Sequence, residues 1–301
     1  MSVPGRFGAV VTAMATPFDG EGRLDLDGAA QLARWLVDHG SEGLVVAGTT
    51  GEAPTLTDGE KASLWRAVVE AVTVPVVAGA GTNHTAHSIE LARVAASAGV
   101  AGILAVGPYY NRPSQAGLVA HFRAVAQATD LPVIIYDIPV RTGRRVERST
   151  LLRLAHEGGN VVAVKDAAGD VAGAAKLISM APAGFELYSG EDALTLPLMA
   201  VGASGVVGVA THWAGPVFAE MADCVRKGDL VGAASANARL LESYDFETSD
   251  EAPNPVPTKV MLSVLGLPGG PTRLPMGPPP DGLADRAKAV LAALQATPAG
   301  G

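Results

Sequence analysis

The sequence predicts a (β/α)8 TIM barrel, an α/β fold, followed by a C-terminal helical extension. Short β-branched runs alternate with longer amphipathic stretches along the first two thirds of the chain. Eight such runs occur, and eight parallel strands is the number that closes a barrel. After the eighth run the strand pattern stops, and only helical patterns follow.

Each predicted strand is a short apolar run rich in valine and isoleucine. The predicted strands are residues 9–14, 43–47, 75–79, 102–106, 132–136, 161–165, 186–189 and 205–209. The predicted helices between them are residues 26–39, 58–72, 84–98, 115–128, 148–157, 171–180 and 193–201. Thr57 and Glu60 have the spacing of a capping box at one helix start. A doubly wound open sheet is the alternative, but residues 13–18 lack the Gly-x-Gly-x-x-Gly fingerprint expected after its first strand.

The C-terminal part of the sequence has helical patterns alone. They cover residues 216–227, 230–244, 257–265 and 283–296. The proline-rich segments 251–257 and 276–280 are predicted to be irregular connectors, and residues 297–301 a disordered tail. We therefore divide the chain into a barrel over residues 1–228 and a helical extension over residues 229–301.

The composition narrows the class of protein. The net charge is −8 and no basic cluster occurs, which argues against nucleic acid or an anionic membrane as a partner. No apolar run approaches the roughly 20 residues that span a bilayer, and the N-terminus lacks the apolar region of a secretory signal. The single cysteine, Cys224, cannot form an internal disulfide and fits a reducing compartment. A cytoplasmic enzyme of small molecules is the expectation.

Lys165 is the most informative residue, because it ends the apolar run 161–165. A buried ammonium needs a partner or must lose its proton. Burial lowers the pKa of lysine, and a neutral amine is a nucleophile toward carbonyl groups. The simpler alternative is that Lys165 pairs with Asp166 or Asp170 and only ends a strand.

Other reactive side chains also follow predicted strands, at the barrel end where active sites lie. Tyr136 ends the fifth strand and is suited to relay protons. Thr49 and Thr50 follow the second strand and can bind a carboxylate, while Arg141 offers a forked donor pair for another. No metal-ligand spacing or phosphate-binding loop is present. The set indicates imine chemistry on lysine without a cofactor or metal.

Five motifs, in this order, resemble the pyruvate-dependent class I aldolase family of dihydrodipicolinate synthase and N-acetylneuraminate lyase. They are Gly-Thr-Thr-Gly-Glu (48–52), Pro-Tyr-Tyr-Asn-Arg-Pro (108–113), Tyr-x-x-Pro-x-Arg-Thr-Gly (136–143), Val-Lys-Asp-Ala (164–167) and Ser-Gly-Glu-Asp (189–192). The similarity continues through Pro-Asn-Pro-Val-Pro-Thr-Lys (253–259) and Arg-Leu-Pro-Met (273–276), so that it covers nearly the whole chain.

The resemblance implies a role for each matching residue. Lys165 would be the Schiff-base lysine for pyruvate and Tyr136 the general acid/base. Thr49 and Tyr110 would belong to the proton relay, with Tyr110 supplied by a neighbouring subunit of a dimer or tetramer. The remaining implied substrate contacts are Thr50, Gly190, Val207 and Arg141.

Arg141 bears on the second substrate. In the family this arginine binds the carboxylate of aspartate semialdehyde, and the neuraminate lyase branch tends to lack it. The resemblance therefore favours condensation of pyruvate with aspartate semialdehyde in diaminopimelate and lysine biosynthesis. A related lyase for a sugar acid or 4-hydroxy-2-oxoglutarate, and a non-catalytic barrel that only binds ligands, are the alternatives.

The chain departs from the family where lysine exerts feedback inhibition. His87 occupies the position of the acidic ligand, and Ala53, Asp58 and Lys61 occupy the serine and histidine positions, whereas Asn83 and Tyr109 match. A lysine effector needs carboxylates around its ammonium group, so we expect weak or absent inhibition by lysine. Asp137 and Gly107 also differ from common family residues, outside the motif centres.

Overall fold

A closed parallel barrel forms the larger part of the structure, a computed structural model that describes residues 5–157 and 159–295. Within these residues each strand pairs in parallel with the next, and the last pairs with the first. The strands are β1 Val10–Ala13, β2 Gly43–Val46, β3 Val76–Gly79, β4 Gly102–Val106, β5 Val133–Asp137, β6 Val161–Asp166, β7 Glu186–Ser189 and β8 Gly205–Gly208. The predicted barrel is confirmed, and the open sheet is excluded.

Helices surround the barrel and continue beyond it. They are α1 Leu26–Asp38, α2 Asp58–Ala71, α3 Thr85–Ser97, α4 Gln115–Ala126, α5 Pro139–Thr142, α6 Arg148–His156, α7 Val171–Met180, α8 Thr195–Ala200, α9 Thr211–Lys227, α10 Leu230–Phe246, α11 Val256–Val264 and α12 Leu283–Gln295. Short 3-10 turns lie at Ala53–Thr55 and Asp192–Leu194. The capping box at the start of α2 is formed as predicted, since Glu60 N–H donates to Thr57 Oγ1 at 3.2 Å.

Several predicted boundaries were wrong by a few residues. β5 and β6 continue past Tyr136 and Lys165 to an aspartate each. The predicted helix 193–201 is split, because a 3-10 turn precedes α8. The helix predicted at residue 216 begins at residue 211 and bends at Ala214, near Pro216, which lacks a backbone donor. The last helix was predicted to end at residue 296, which lies outside the described residues, as does the predicted tail.

The predicted connector 251–257 is also partly helical. α11 begins at Val256, so Pro257 lies in its first turn. Proline is tolerated there because the first N–H groups of a helix have no partner within it. Periodicity alone could not separate this proline from those that precede it.

Two layers of apolar side chains hold the barrel, as its architecture requires. Inside the barrel, one buried cluster includes Val45, Leu104, Ile134 and Val207. A larger cluster lies between the strands and the surrounding helices. Among the described residues no helix has both the length and the apolar character needed to cross a membrane.

The C-terminal helices pack directly against the barrel. Val10 of β1 and Val206 of β8 share an apolar cluster with Leu240 of α10, Met261 of α11 and Val290 of α12. The extension therefore covers one side of the barrel wall. The division of the chain at residue 228 stays a prediction.

Candidate active site

Lys165 and Tyr136 are neighbours across β5 and β6. Their Cα atoms are register partners, and Lys165 Nζ lies 4.3 Å from the centroid of the Tyr136 ring. The register of this strand pair shifts beyond Val133, which pairs with Val161, because Ile134 pairs with Ala163. An extra residue in one strand moves all later side chains along by one position. This irregularity therefore brings the lysine, rather than Val164, opposite the phenol.

The amine of Lys165 is held in a buried site. The residue is 5 % exposed, and burial lowers its pKa to about 8, against the opposing charges of Asp192 and Glu247. With a pKa near 8, about a tenth of the amine is neutral at pH 7, against about one in a few thousand for an ordinary lysine. A neutral amine is the form that can attack a carbonyl group, and the catalytic role of Lys165 stays a prediction.

The ion-pair alternative for Lys165 does not hold. Asp166 accepts the backbone N–H of Ala168 at 2.8 Å, and Asp170 pairs with Arg145 at 3.2 Å. Among the described residues, Lys165 has no carboxylate oxygen within 4.0 Å. It is therefore more than a charged strand end.

Tyr136 is buried beside the lysine and keeps its proton. Burial raises the pKa of its phenol to about 12, while the nearby Arg141 charge and Thr49 hydroxyl act in the opposite direction. Since the phenol is neutral at physiological pH, it enters any reaction as a proton donor. The same group can take the proton back later, which is what a relay requires.

Thr49 and Thr50 follow β2 and differ in their surroundings. Thr49 is half-buried and lines the cavity beside Tyr136. Thr50 is 2 % exposed, and its Oγ1 accepts a hydrogen bond from Asn254 Nδ2 at 3.0 Å. Asn254 comes from the segment before α11 and in turn accepts from Thr258 Oγ1 at 3.2 Å. The helical extension thus fixes a hydroxyl group at the end of a barrel strand.

A second contact joins the extension to the same loop. Glu52, in the left-handed region at φ 55°, forms a buried ion pair with Lys259 of α11 at 2.7 Å. It also accepts the backbone N–H of Arg273 at 2.8 Å. A bulky residue in this backbone region is strained and persists only when its surroundings hold it. Such contacts fix the turn that carries Thr49 and Thr50.

The other predicted site residues lie at different distances from the amine. A Cβ added to Gly190 would lie 3.0 Å from Lys165 Cε, so the glycine leaves room beside the lysine. Val207 points into the barrel interior. Arg141 is exposed in α5 and lines the cavity. Tyr110 is 91 % exposed and lies apart from this group.

A cavity of about 460 Å³ opens where β2, β3, β4 and β5 end. Thr49, Tyr136 and Arg141 belong to its lining, with Tyr136 buried and Arg141 exposed. The lining also includes the six residues at the positions of the family's lysine-feedback site: Ala53, Asp58, Lys61, Asn83, His87 and Tyr109. Lys165 is not among the lining residues. Its Nζ lies 4.3 Å from the centroid of the Tyr136 ring, which forms part of the cavity wall.

Sequence reasoning missed three polar residues of this region. Asn254 supports Thr50, as described above. Asp192 and Glu247 are buried groups whose charge acts on Lys165. Asp192 stood within a recognised motif, but Glu247 follows an ordinary amphipathic helix and carries no local signal. Within the described residues, no three His, Cys, Asp or Glu side chains are grouped as ligands for a metal ion.

The chain is similar to known proteins over almost its entire length. It is 54 % identical over 275 residues to the 4-hydroxy-tetrahydrodipicolinate synthase of Moorella thermoacetica, covering 90 % of this chain and 92 % of the relative. A dihydrodipicolinate synthase structure from Bacillus anthracis matches with a TM-score of 0.92 and 42 % identity, covering 96 % and 98 % of the two chains.

A third similarity is relevant to regulation. The structure of DHDPS from Cyanidioschyzon merolae with lysine bound matches with a TM-score of 0.93 and 40 % identity, over 96 % of this chain and 99 % of the other. The model of the dihydrodipicolinate synthetase family matches residues 6–294 of this chain. With the barrel, the motifs and these similarities in agreement, the chain belongs to the dihydrodipicolinate synthetase family.

Proposed function

We propose that this chain is a 4-hydroxy-tetrahydrodipicolinate synthase that joins pyruvate to aspartate semialdehyde through an imine on Lys165. The observation that carries the proposal is the buried amine of Lys165, 4.3 Å from the Tyr136 ring. The relative from Moorella thermoacetica bears the name of this activity. The same activity belongs to the route to diaminopimelate and lysine.

The reaction begins with the neutral amine of Lys165. Its lone pair adds to the keto carbon of pyruvate, and the electron pair of the carbonyl bond moves to oxygen, which takes a proton. The nitrogen, which became positively charged in the addition, gives up one proton, so that a neutral carbinolamine results. The carbinolamine then takes a second proton on its hydroxyl and loses water, leaving a carbon–nitrogen double bond with a positive charge. Tyr136, protonated and adjacent, is the donor in our proposal.

The iminium then activates the methyl group of pyruvate. Loss of one methyl proton places its electron pair in a carbon–carbon double bond, and the iminium nitrogen becomes neutral. This enamine attacks the aldehyde carbon of the second substrate, and the aldehyde oxygen takes a proton. The amino group of the second substrate can next displace Lys165 from the imine, which closes a ring and frees the enzyme amine.

The polar groups around the cavity are suited to two carboxylic acids. Thr49 offers a hydroxyl group on the cavity lining for pyruvate, with the buried Thr50 next to it in the chain. Arg141 offers an exposed guanidinium for aspartate semialdehyde. Val207 supplies an apolar surface within the barrel, and Gly190 leaves space next to Lys165. An acidic aldehyde is therefore preferred over a neutral sugar.

We infer that the active form is a homo-oligomer in which Tyr110 enters the relay of another subunit. The side chain is 91 % exposed, and its backbone lies in the left-handed region at φ 70°. A tyrosine in that conformation is uncommon, and such strain is concentrated at functional positions. Its own subunit does not use it, since Tyr109 rather than Tyr110 lines the cavity.

Substitution of Arg141 tests the choice of aldehyde. In Arg141→Ala we expect KM for aspartate semialdehyde to rise about 10-fold or more, the scale of a charge-assisted hydrogen bond. Arg141→Lys keeps the positive charge but loses the forked pair of donors, so its KM for aspartate semialdehyde should lie between those of the wild type and Arg141→Ala. Pyruvate binding should remain, because Arg141 is exposed whereas Lys165 is buried. A preference for sugar aldehydes in the wild type would instead favour the related lyase.

A further inference from the structure

Two buried carboxyl groups have no role in the imine chemistry described above, although their ionised forms raise the pKa of Lys165. One of them, Asp192, is two residues from Gly190, where an added Cβ would lie 3.0 Å from Lys165 Cε. Asp192 follows β7 and is 1 % exposed, and Glu247 follows α10 and is 6 % exposed. They come from opposite parts of the chain, one from the barrel and one from the extension. Burying two carboxyl groups together is costly unless they are compensated, so their protonation state has to be explained.

Asp192 is built to hold a negative charge. Its Oδ2 accepts the backbone N–H groups of Val209 at 2.9 Å and Ala210 at 2.6 Å. Gly208 permits this approach, since a Cβ there would lie 2.8 Å from Asp192 Oδ1. Two N–H donors stabilise the carboxylate form of an aspartate. They oppose burial, which raises the pKa of Asp192.

Glu247 is built to hold a proton. Its Oε2 is buried without a hydrogen-bond partner among the described residues. Burial, followed by the charge of Asp192, raises the pKa of Glu247 well above its usual range. Because two adjacent buried carboxylates repel each other, the pair retains one proton. The donors at Asp192 assign the charge to Asp192 and the proton to Glu247.

We propose that Asp192, the ionised member of a buried pair whose other member is protonated Glu247, is the counter-ion of the iminium that forms on Lys165. The inference rests on the proposed imine chemistry. Asp192 acts through Lys165 and need not touch the substrate, so it is a positioning residue for charge. A single negative charge is suited to this task, since it matches the single positive charge of the iminium.

The charged groups around the amine agree with this assignment. The charges of Asp192 and Glu191 favour a positive nitrogen, as that of Glu247 would if it were ionised, whereas Arg141 opposes it. Tyr136 is neutral, and Tyr244 keeps its proton because burial raises its pKa. Glu191 is half-exposed by comparison, and solvent screens its charge. Asp192 is therefore the principal buried anion that acts on the amine.

The pH dependence of pyruvate binding reports this charge. Below the pKa of Lys165, an ammonium is replaced by an iminium and no net proton is taken up. Above that pKa the amine is neutral and a proton must be gained, so pyruvate affinity falls as the pH rises. The midpoint of the fall is the pKa of free Lys165, about 8 in the wild type.

The test compares Asp192→Asn and Glu247→Gln with the wild type. Asp192→Asn removes the negative charge, so the midpoint should move down by about one pH unit. Glu247→Gln replaces one neutral group by another and should leave the midpoint in place. Asp137→Asn is the matched control. Asp137 is a buried acid that follows Tyr136 in the chain, its charge interacts with Asp166 and Arg145, and it is not among the groups that shift the pKa of Lys165. The readout is borohydride-trapped pyruvate adduct, quantified by mass spectrometry across pH.

The outcomes separate the two proposals. If the wild type forms the adduct and Asp192→Asn shows the same midpoint as the wild type, the counter-ion proposal is wrong and the imine proposal stands. A wild type without any adduct overturns both. Should Asp192→Asn fail to fold, infrared spectroscopy of the wild type decides. A protonated-carboxyl band that is lost in Glu247→Gln supports the pair, and its absence from the wild type overturns the assignment.

Discussion

Lys165 and Tyr136 are register partners on adjacent parallel strands, with the lysine Nζ 4.3 Å from the phenol ring centroid. Burial affects the two groups in opposite directions, since it lowers the pKa of the amine to about 8 and raises that of the phenol to about 12. Both groups are therefore driven toward their neutral forms. A neutral nucleophile beside a neutral proton donor is the combination that imine formation needs.

Removing the phenol hydroxyl should slow catalysis without preventing pyruvate binding. In Tyr136→Phe the ring remains against Lys165, so the imine can still form. We expect kcat to fall roughly 10²-fold or more, the scale of one general acid/base group. Tyr188→Phe is the matched control, because Tyr188 is a buried phenol whose hydroxyl donates to Glu186 at 2.8 Å. A full turnover rate in Tyr136→Phe would remove this residue from the mechanism.

The link between the extension and the barrel should affect pyruvate affinity. Asn254→Ala deletes the hydrogen bond to Thr50 Oγ1, and we expect KM for pyruvate to rise about fivefold, the scale of one neutral hydrogen bond near 1 kcal/mol. Thr258→Val, which removes only the support of Asn254, should have a smaller effect. Thermal unfolding of each variant checks that the fold persists. An unchanged KM in Asn254→Ala would limit this contact to stability.

Lysine should be a weak inhibitor or none. On the cavity lining, Asp58 is already engaged by His87 Nε2 at 2.9 Å, and Lys61 adds a further basic group. The ammonium group of a lysine effector would meet repulsion there. Initial rates with about 1 mM L-lysine should stay near the uninhibited rate. This concentration would reveal any inhibitor with a dissociation constant of about 1 mM or lower. The Cyanidioschyzon merolae relative, whose structure has lysine bound, is assayed in parallel for comparison. Strong inhibition of the present chain would contradict the prediction.

The exposed Tyr110 should act in a partner subunit. We expect a dimer or tetramer in sedimentation experiments, and low activity in Tyr110→Phe and in Lys165→Ala when each is pure. After the two variants are mixed and exchange subunits, sites with an intact lysine and a partner's tyrosine should recover activity. A monomer with full activity, or mixing without recovery, would count against the shared site.

The barrel, and the positions of Lys165 and Tyr136 near the ends of its strands, were predictable because their signals are local. Periodicity placed all eight strands, and residues at strand ends include Lys165 and Tyr136. The register between those two residues was not predictable, because it depends on an irregularity between Val133 and Ile134 of β5 and their partners in β6. An apolar run such as 161–164 looks the same with or without a bulge.

The contacts made by the extension were beyond sequence reasoning for a different reason. Asn254 and Glu247 meet Thr50 and the surroundings of Lys165 only after the chain has closed the barrel and returned to it. No periodic pattern records which side of the barrel the later helices cover. Buried polar pairs between distant segments become visible only in three dimensions.

The central claim is that Lys165 forms an imine with pyruvate. Borohydride reduction of the protein with pyruvate, followed by peptide mass spectrometry, tests it most directly. We predict one pyruvate-derived adduct on the peptide that contains Lys165 and none in Lys165→Ala. A wild type without an adduct, or with the adduct on another lysine, would contradict the account.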